Sequence, residues 1–115
     1  MAIPPEILRL VEQLIQEFDL IEQQANKGLI IASQLLDRFP NNARLIGLSA
    51  NISNGLFFVD SIRNRIENII QKISGNNVSI EAIQEAGEEL SEIWGRILEC
   101  KMTVSRSVSI LENLQ

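Results

Sequence analysis

The chain has 115 residues, of which 45% are hydrophobic and 22% charged, the range of globular domains rather than of disordered chains. Ten basic and fifteen acidic residues give a formal net charge of −5, which opposes the phosphate neutralisation that nucleic-acid binding requires. No apolar run approaches the roughly 18 residues of a membrane span, and the start of the chain lacks the basic and apolar segments of a signal peptide. We therefore expect a single domain over residues 1–115, a cytoplasmic location, and neither nucleic acid nor a membrane as partner.

The first helix is predicted over residues 5–39. Pro4 and Pro5 suit the start of a helix, where a missing N–H costs no hydrogen bond, and Glu6 adds a favourable charge there. From this point apolar and small residues recur at alternating steps of three and four, the spacing of a helix that packs lengthwise against others. Pro40 ends the helix, because proline disfavours helical geometry in the residue before it. This first stripe consists of Ile7, Val11, Leu14, Phe18, Ile21, Ala25, Gly28, Ala32, Leu35 and Phe39.

The second helix is predicted over residues 43–73 and the third over residues 80–114. Gly75 suits the left-handed conformation past a helix end, and Ser79 suits the N-cap of the last helix. The second stripe consists of Leu45, Leu48, Ile52, Gly55, Val59, Ile62, Ile66, Ile69 and Ile73. The third stripe consists of Ile83, Ala86, Leu90, Ile93, Ile97, Cys100, Val104, Ser107, Leu111 and Leu114.

The two connections are short, so consecutive helices become antiparallel neighbours. Folding the chain at each connection brings the three stripes into common layers, an agreement that a slip in any one helix would destroy. The sequence therefore predicts an all-α fold, an up-down-up antiparallel three-helix bundle of long helices with heptad-type core packing. In this register Gly28, Gly55 and Cys100 face one another at mid-length.

The small residues of that middle layer leave two alternatives open. Either the helices approach closely there, with a neighbour such as Trp94 filling the space, or a cavity remains beside Gly28, Gly55 and Cys100. Close packing is favoured because native interiors leave few voids. Cys100 is expected to be a small buried hydrophobe rather than a reactive thiol, since reactivity requires an electropositive and accessible environment.

The chain contains no histidine, the commonest general base and metal ligand. We therefore expect a protein that is not an enzyme and holds no cofactor; an enzyme built on surface carboxylates is the weakest hypothesis. A weak divalent-cation site is conceivable on the densest acidic run, but its positions point outward, which favours a solvated helix face. That run consists of Glu85, Glu88, Glu89, Glu92 and Glu99.

A belt of apolar residues is left over at mid-length. Heptad positions place Ile30, Phe57 and Met102 farthest from the core, and several such residues at one level indicate a contiguous interface patch. The sequence thus predicts a non-enzymatic interaction or self-association module, a homodimer or the receiver of another protein's helix. The alternative is a bundle that binds a small apolar ligand beside its middle layer. The apolar belt consists of Leu29, Ile30, Ile31, Leu56, Phe57, Phe58 and Met102.

Overall fold

Three long helices make up the computed structural model, which describes residues 3–115. They are α1 (Pro5–Arg38), α2 (Ala43–Ile73) and α3 (Ile80–Leu114). Each boundary lies within one residue of the boundary predicted from the sequence. The first two residues of the predicted domain lie outside the described part of the chain.

The ends of the helices follow from local sequence. α1 stops one residue earlier than predicted, because Phe39 has left helical geometry (φ −132°, ψ 68°) next to Pro40. The side chain of Asn42 accepts a hydrogen bond from the backbone N–H of Leu45 at 3.1 Å, so α2 begins at a capped residue. Ser79 caps α3 in the same way, as the sequence predicted.

The end of α2 corrects one expectation. Gly75 has no positive φ, so it is not the left-handed residue that was expected past this helix. The backbone N–H of Ser74 instead bonds to the carbonyl of Gln71 at 3.4 Å, in a last turn that keeps right-handed geometry. A tightened final turn satisfies a carbonyl without requiring glycine's freedom.

Each helix packs against both of the others, which confirms the predicted three-helix bundle. The bundle is elongated, with extents of 59 × 18 × 16 Å. All nine stripe residues of α2 are buried. The stripe of α1 is less complete, because Val11 is only partly buried and Phe39, past the helix end, is 52% exposed. Ile31 and Val108 enter the core in addition to the predicted residues.

Side-chain contacts establish the register at two of the three seams between helices. Arg63 of α2 donates a hydrogen bond to Glu22 of α1. Arg65 of α2 donates two hydrogen bonds to Glu89 of α3, at 2.9 and 2.7 Å. These contacts involve the chain neighbours of Ile21 and Ile62 and of Ile66 and Leu90, two pairs that the stripes predict.

The register between α1 and α3 differs from the prediction. A β-carbon on Gly28, predicted to face Cys100, would lie 2.7 Å from Cγ2 of Val108, about two turns further along α3. Lys27 and Glu112 form an ion pair at 2.9 Å. In this pair too, the residue of α3 lies further along the helix than the predicted register would place it. The glycines show an offset of about one turn at each of the other two seams, since Gly28 lies against Ile52 and Gly55 lies closest to Val104. No loop joins α1 directly to α3, so these two offsets add up at this seam.

Among the described residues, α2 is the one helix long and apolar enough to cross a membrane by length and composition. Its most apolar 18-residue window has a mean hydropathy of 1.3, and 33% of that window is buried inside the bundle. A core helix with an apolar stripe and further apolar residues beside it meets the same criterion. That a membrane is not a partner therefore stays a prediction.

Candidate functional site

The outermost residues of the apolar belt are exposed but do not form one patch. Ile30 is 60% exposed, Phe57 72% and Met102 61%. They lie on three different helices, and because each helix packs against both others, the three outward faces point in different directions. The belt is thus a ring around the bundle, and a single interface through all three residues stays a prediction. A flat partner surface can contact only one side of it.

Ile31 does not belong to an exposed belt. It is 6% exposed and packs in the core. Gln24 and Glu17, at the same heptad position one and two repeats earlier, contact Ser105 and Lys101 of α3, at 2.6 and 2.8 Å. Ile31 therefore faces the seam between α1 and α3, where α3 covers it.

The side of the ring formed by α1 and α2 carries apolar side chains on both helices. Glu22 and Arg63 meet across this seam. Leu29 follows Glu22 by seven residues on α1, and Leu56 precedes Arg63 by seven residues on α2. Because the helices are antiparallel, Leu29 therefore lies opposite Leu56, and both side chains are partly buried. Ile30 and Phe57 follow them on the outer edges of the same side. We call Leu29, Ile30, Leu56 and Phe57 the waist patch.

The seam between α2 and α3 is polar at the same level. It contains a hollow of about 490 Å³ that opens to solvent. Phe58 of the belt lies in this hollow and not in the waist patch. The hollow is lined by Asn51, Asn54, Gly55, Phe58, Arg96, Glu99, Cys100, Thr103 and Val104.

The predicted set of ligand-cavity residues is not brought together. Gly55 and Cys100 line the hollow, but Gly28 and Trp94 do not. Trp94 is partly buried and shares a heptad position with Lys101, which contacts Glu17 of α1 at 2.8 Å. Trp94 therefore faces the seam between α1 and α3, away from the hollow.

Both core glycines are closely packed, the alternative that the sequence favoured. A β-carbon on Gly55 would lie 2.6 Å from Cγ2 of Val104, and one on Gly28 would lie 2.8 Å from Cδ1 of Ile52. Each glycine accommodates a branched side chain of a neighbouring helix. The space at these two glycines is therefore filled, and they occupy separate contacts rather than one thin layer.

Cys100 lies at the floor of the hollow and is partly buried. Its thiol is 3.7 Å from the backbone carbonyl of Gly55, which accepts its weak hydrogen bond. Burial raises the pKa of this thiol, because the protein disfavours the charged thiolate. Such a thiol is a poorer nucleophile at neutral pH than a cysteine in water.

Two of the five carboxylates of the acidic run on α3 form ion pairs within the chain. Glu89 pairs with Arg65 at 2.7 Å, and Glu92 pairs with Arg96 at 3.1 Å. Within residues 3–115, no three Asp, Glu or Cys side chains are grouped so that they could hold a metal ion.

A second group of exposed apolar residues lies outside the predicted belt. Leu8 and Ile15 precede Glu22 on α1 by two repeats and one repeat, and are 46% and 42% exposed. Ile70 follows Arg63 on α2 by one repeat and is partly buried. Their recurrence every seven residues beside the stripe was the available signal. They continue the apolar row of the α1–α2 seam past the Glu22–Arg63 pair.

Comparisons with protein-family models, with curated proteins and with solved structures find no match for this chain.

Gly55→Ala tests the close approach of α2 and α3. The added methyl would meet the stiff, buried side chain of Val104, whereas a β-carbon on Gly95 would meet nothing within 4 Å. We expect Gly55→Ala to be about 1 to 3 kcal/mol less stable than Gly95→Ala in urea unfolding. Equal stability of the two variants would show that space remains at Gly55.

The reactivity of Cys100 provides a second test. Because its pKa is raised, we expect alkylation by iodoacetamide at pH 8 to be several-fold slower in the native protein than in urea. As the pH is raised, the alkylation rate of the native protein should continue to increase at pH values where the rate of the unfolded protein has already reached its plateau. A native rate equal to the unfolded rate would contradict the burial of this thiol.

Proposed function

We propose that this protein is a non-enzymatic interaction module that associates with a second copy of itself through the waist patch. The observation that carries the proposal is the 72% exposure of Phe57, beside the partly exposed Leu56, which itself lies opposite Leu29. Removing one such aromatic side chain from water contributes about 1.5 to 3 kcal/mol. A cytoplasmic location and the exclusion of nucleic acid remain part of the proposal, supported by the single cysteine and the net charge of −5.

The residues between the edges of the waist patch favour contact between helices. Ser33 of α1 and Ser53 of α2 lie on this side, and neither brings a charge or a long side chain. Small residues allow a second pair of helices to approach closely. A two-fold axis across the patch would place the same residues of both copies against each other, the commonest arrangement of soluble homo-oligomers.

The size of the surface argues for weak association. The bundle is only 18 Å wide, and the waist patch extends over a few helical turns. Two such patches would together bury on the order of 1,000 Å², the lower limit for specific interfaces. We therefore expect a dissociation constant in the micromolar range, about 1 to 50 μM.

The small-ligand alternative has lost its main support. It depended on empty space beside Gly28 and Gly55, and neighbouring side chains fill both positions. The hollow between α2 and α3 opens to solvent and has the charged side chains of Arg96 and Glu99 in its lining, which does not suit an apolar ligand.

Phe57→Glu is the test of self-association. If Phe57 is buried between two copies, an unpaired carboxylate there costs several kcal/mol. We expect the variant to keep its helical circular dichroism but to sediment as a monomer at about 100 μM, where wild type sediments as a dimer.

Met102→Glu is the matched control, because Met102 is 61% exposed on α3, on the outward face of the third helix. The same change of charge there should leave the dimer intact. A monomeric wild type, or a Phe57→Glu variant that remains dimeric, would refute the proposal. Dissociation by both variants to the same extent would show that the effect is one of net charge.

A further inference from the structure

A row of apolar side chains leads from the waist patch toward the end of the bundle where α1 begins. It consists of Leu8 and Ile15 of α1 and Ile70 of α2, beyond the Glu22–Arg63 pair. Leu8 and Ile15 are 46% and 42% exposed, and Ile70 packs partly against the core. Two helices thus present apolar side chains at heptad spacing along one open seam, the arrangement that receives a further helix.

Carboxylates border this row on both helices. Glu12 and Asp19 lie seven residues apart on α1, and Asp60 and Glu67 lie seven residues apart on α2. All four are exposed and occupy the heptad position next to the apolar row on its outward side. Within residues 3–115, Glu12, Asp60 and Glu67 form no ion pair. We call this apolar row with its four carboxylates the acidic seam.

The cation within the acidic seam is already neutralised. Arg63 donates hydrogen bonds to Glu22 and to Asp19, and its guanidinium lies 5.1 Å from the centre of the Phe18 ring. The hydrogen bond to Glu22 is the largest cause that raises the pKa of Arg63, so the group stays charged and paired. Arg9 is exposed at the outermost position of α1, at one end of the row. The acidic seam therefore carries an excess of negative charge.

A second copy of this chain does not complement that charge. Five of its ten basic residues are paired with carboxylates of the same chain, namely Lys27, Arg63, Arg65, Arg96 and Lys101. Of the other five, two lie near the two ends of α1, two lie near the two ends of α2, and one lies on α3. They are too far apart to form a basic row. They are Arg9, Arg38, Arg44, Lys72 and Arg106. The complementary charge must come from a different protein.

We propose that the acidic seam binds a basic amphipathic helix of another protein. Apolar residues of that helix would pack on Leu8, Ile15 and Ile70, and lysines or arginines on both sides would pair with the carboxylates. The seam from Leu8 to Glu22 is about 20 Å long, which corresponds to a partner helix of about four turns. The proposal goes beyond self-association, because it concerns a separate surface and a different occupant.

The probe is an 18-residue peptide with leucine at heptad positions a and d and lysine at the others, labelled with fluorescein. Its binding is measured by fluorescence anisotropy with the Phe57→Glu protein, so that self-association through the waist patch does not interfere. We expect a dissociation constant of about 10 to 100 μM at low salt, weakened about tenfold or more at high salt because the pairs are exposed. A peptide with glutamate in place of every lysine should not bind.

Two triple variants with the same change in net charge locate the binding site. Glu12→Gln with Asp60→Asn and Glu67→Gln removes the unpaired carboxylates of the acidic seam. The control neutralises three exposed carboxylates of α3, as Glu85→Gln, Glu88→Gln and Glu99→Gln. We expect the first variant to lose about tenfold or more in affinity and the second to lose less than about twofold.

Ile15→Ser tests the apolar part of the site, with thermal unfolding as the measure of folding. At 42% exposure the substitution leaves the bundle folded, and we expect peptide affinity to fall at least about fivefold. Equal losses in the two triple variants, unchanged affinity in Ile15→Ser, or no binding of the lysine peptide would each overturn the proposal. None of these results bears on the effect of Phe57→Glu on the wild-type oligomer, so the two proposals fail separately.

Discussion

The buried stripe of α2 is the constraint on which the rest of the structure depends. Its nine residues from Leu45 to Ile73 are all buried, so α2 must be covered by both other helices along its whole length. That requirement leaves one outward face on each helix, while the short connections set the directions of α1 and α3. It also explains the most conspicuous surface feature, because Phe57 lies on the side of α2 opposite the stripe and neither neighbour can reach it.

The contact of Gly55 with Val104 determines how closely α2 and α3 approach. The valine methyl occupies the place that a β-carbon would take. This approach brings the thiol of Cys100 within 3.7 Å of the Gly55 carbonyl and away from open solvent. The hollow above it is consequently a groove between two closely spaced helices rather than a cavity in the core.

The three seams of the bundle differ in charge, and this difference separates internal contacts from surfaces for partners. Ion pairs such as Lys101 with Glu17 and Arg65 with Glu89 bridge the two seams of α3. The α1–α2 seam has one such bridge, at Arg63, and apolar side chains on both sides of it. Exposed ion pairs contribute little stability, but they do satisfy charge within the chain. Beside this seam, Glu12, Asp60 and Glu67 form no ion pair within residues 3–115, and together with the apolar row this supports the proposal that the α1–α2 seam is the side that contacts another protein.

The sequence by itself determined the helices, the N-caps of α2 and α3, and most of the core stripes. Pro40 acts through the steric restriction it places on Phe39, and Asn42 and Ser79 act through side-chain hydrogen bonds to the backbone of the next turn. A seven-residue repeat specifies which side of a helix is buried. Tertiary structure alone decided which neighbour covers each flank of a stripe. A three-helix bundle can turn in either direction, and heptad positions are the same in both, so the seams faced by Ile31, Trp94 and Phe58 followed only from packing. The α1–α3 offset was likewise undetermined, because it depends on how branched side chains such as Val108 fit against glycine rather than on any loop.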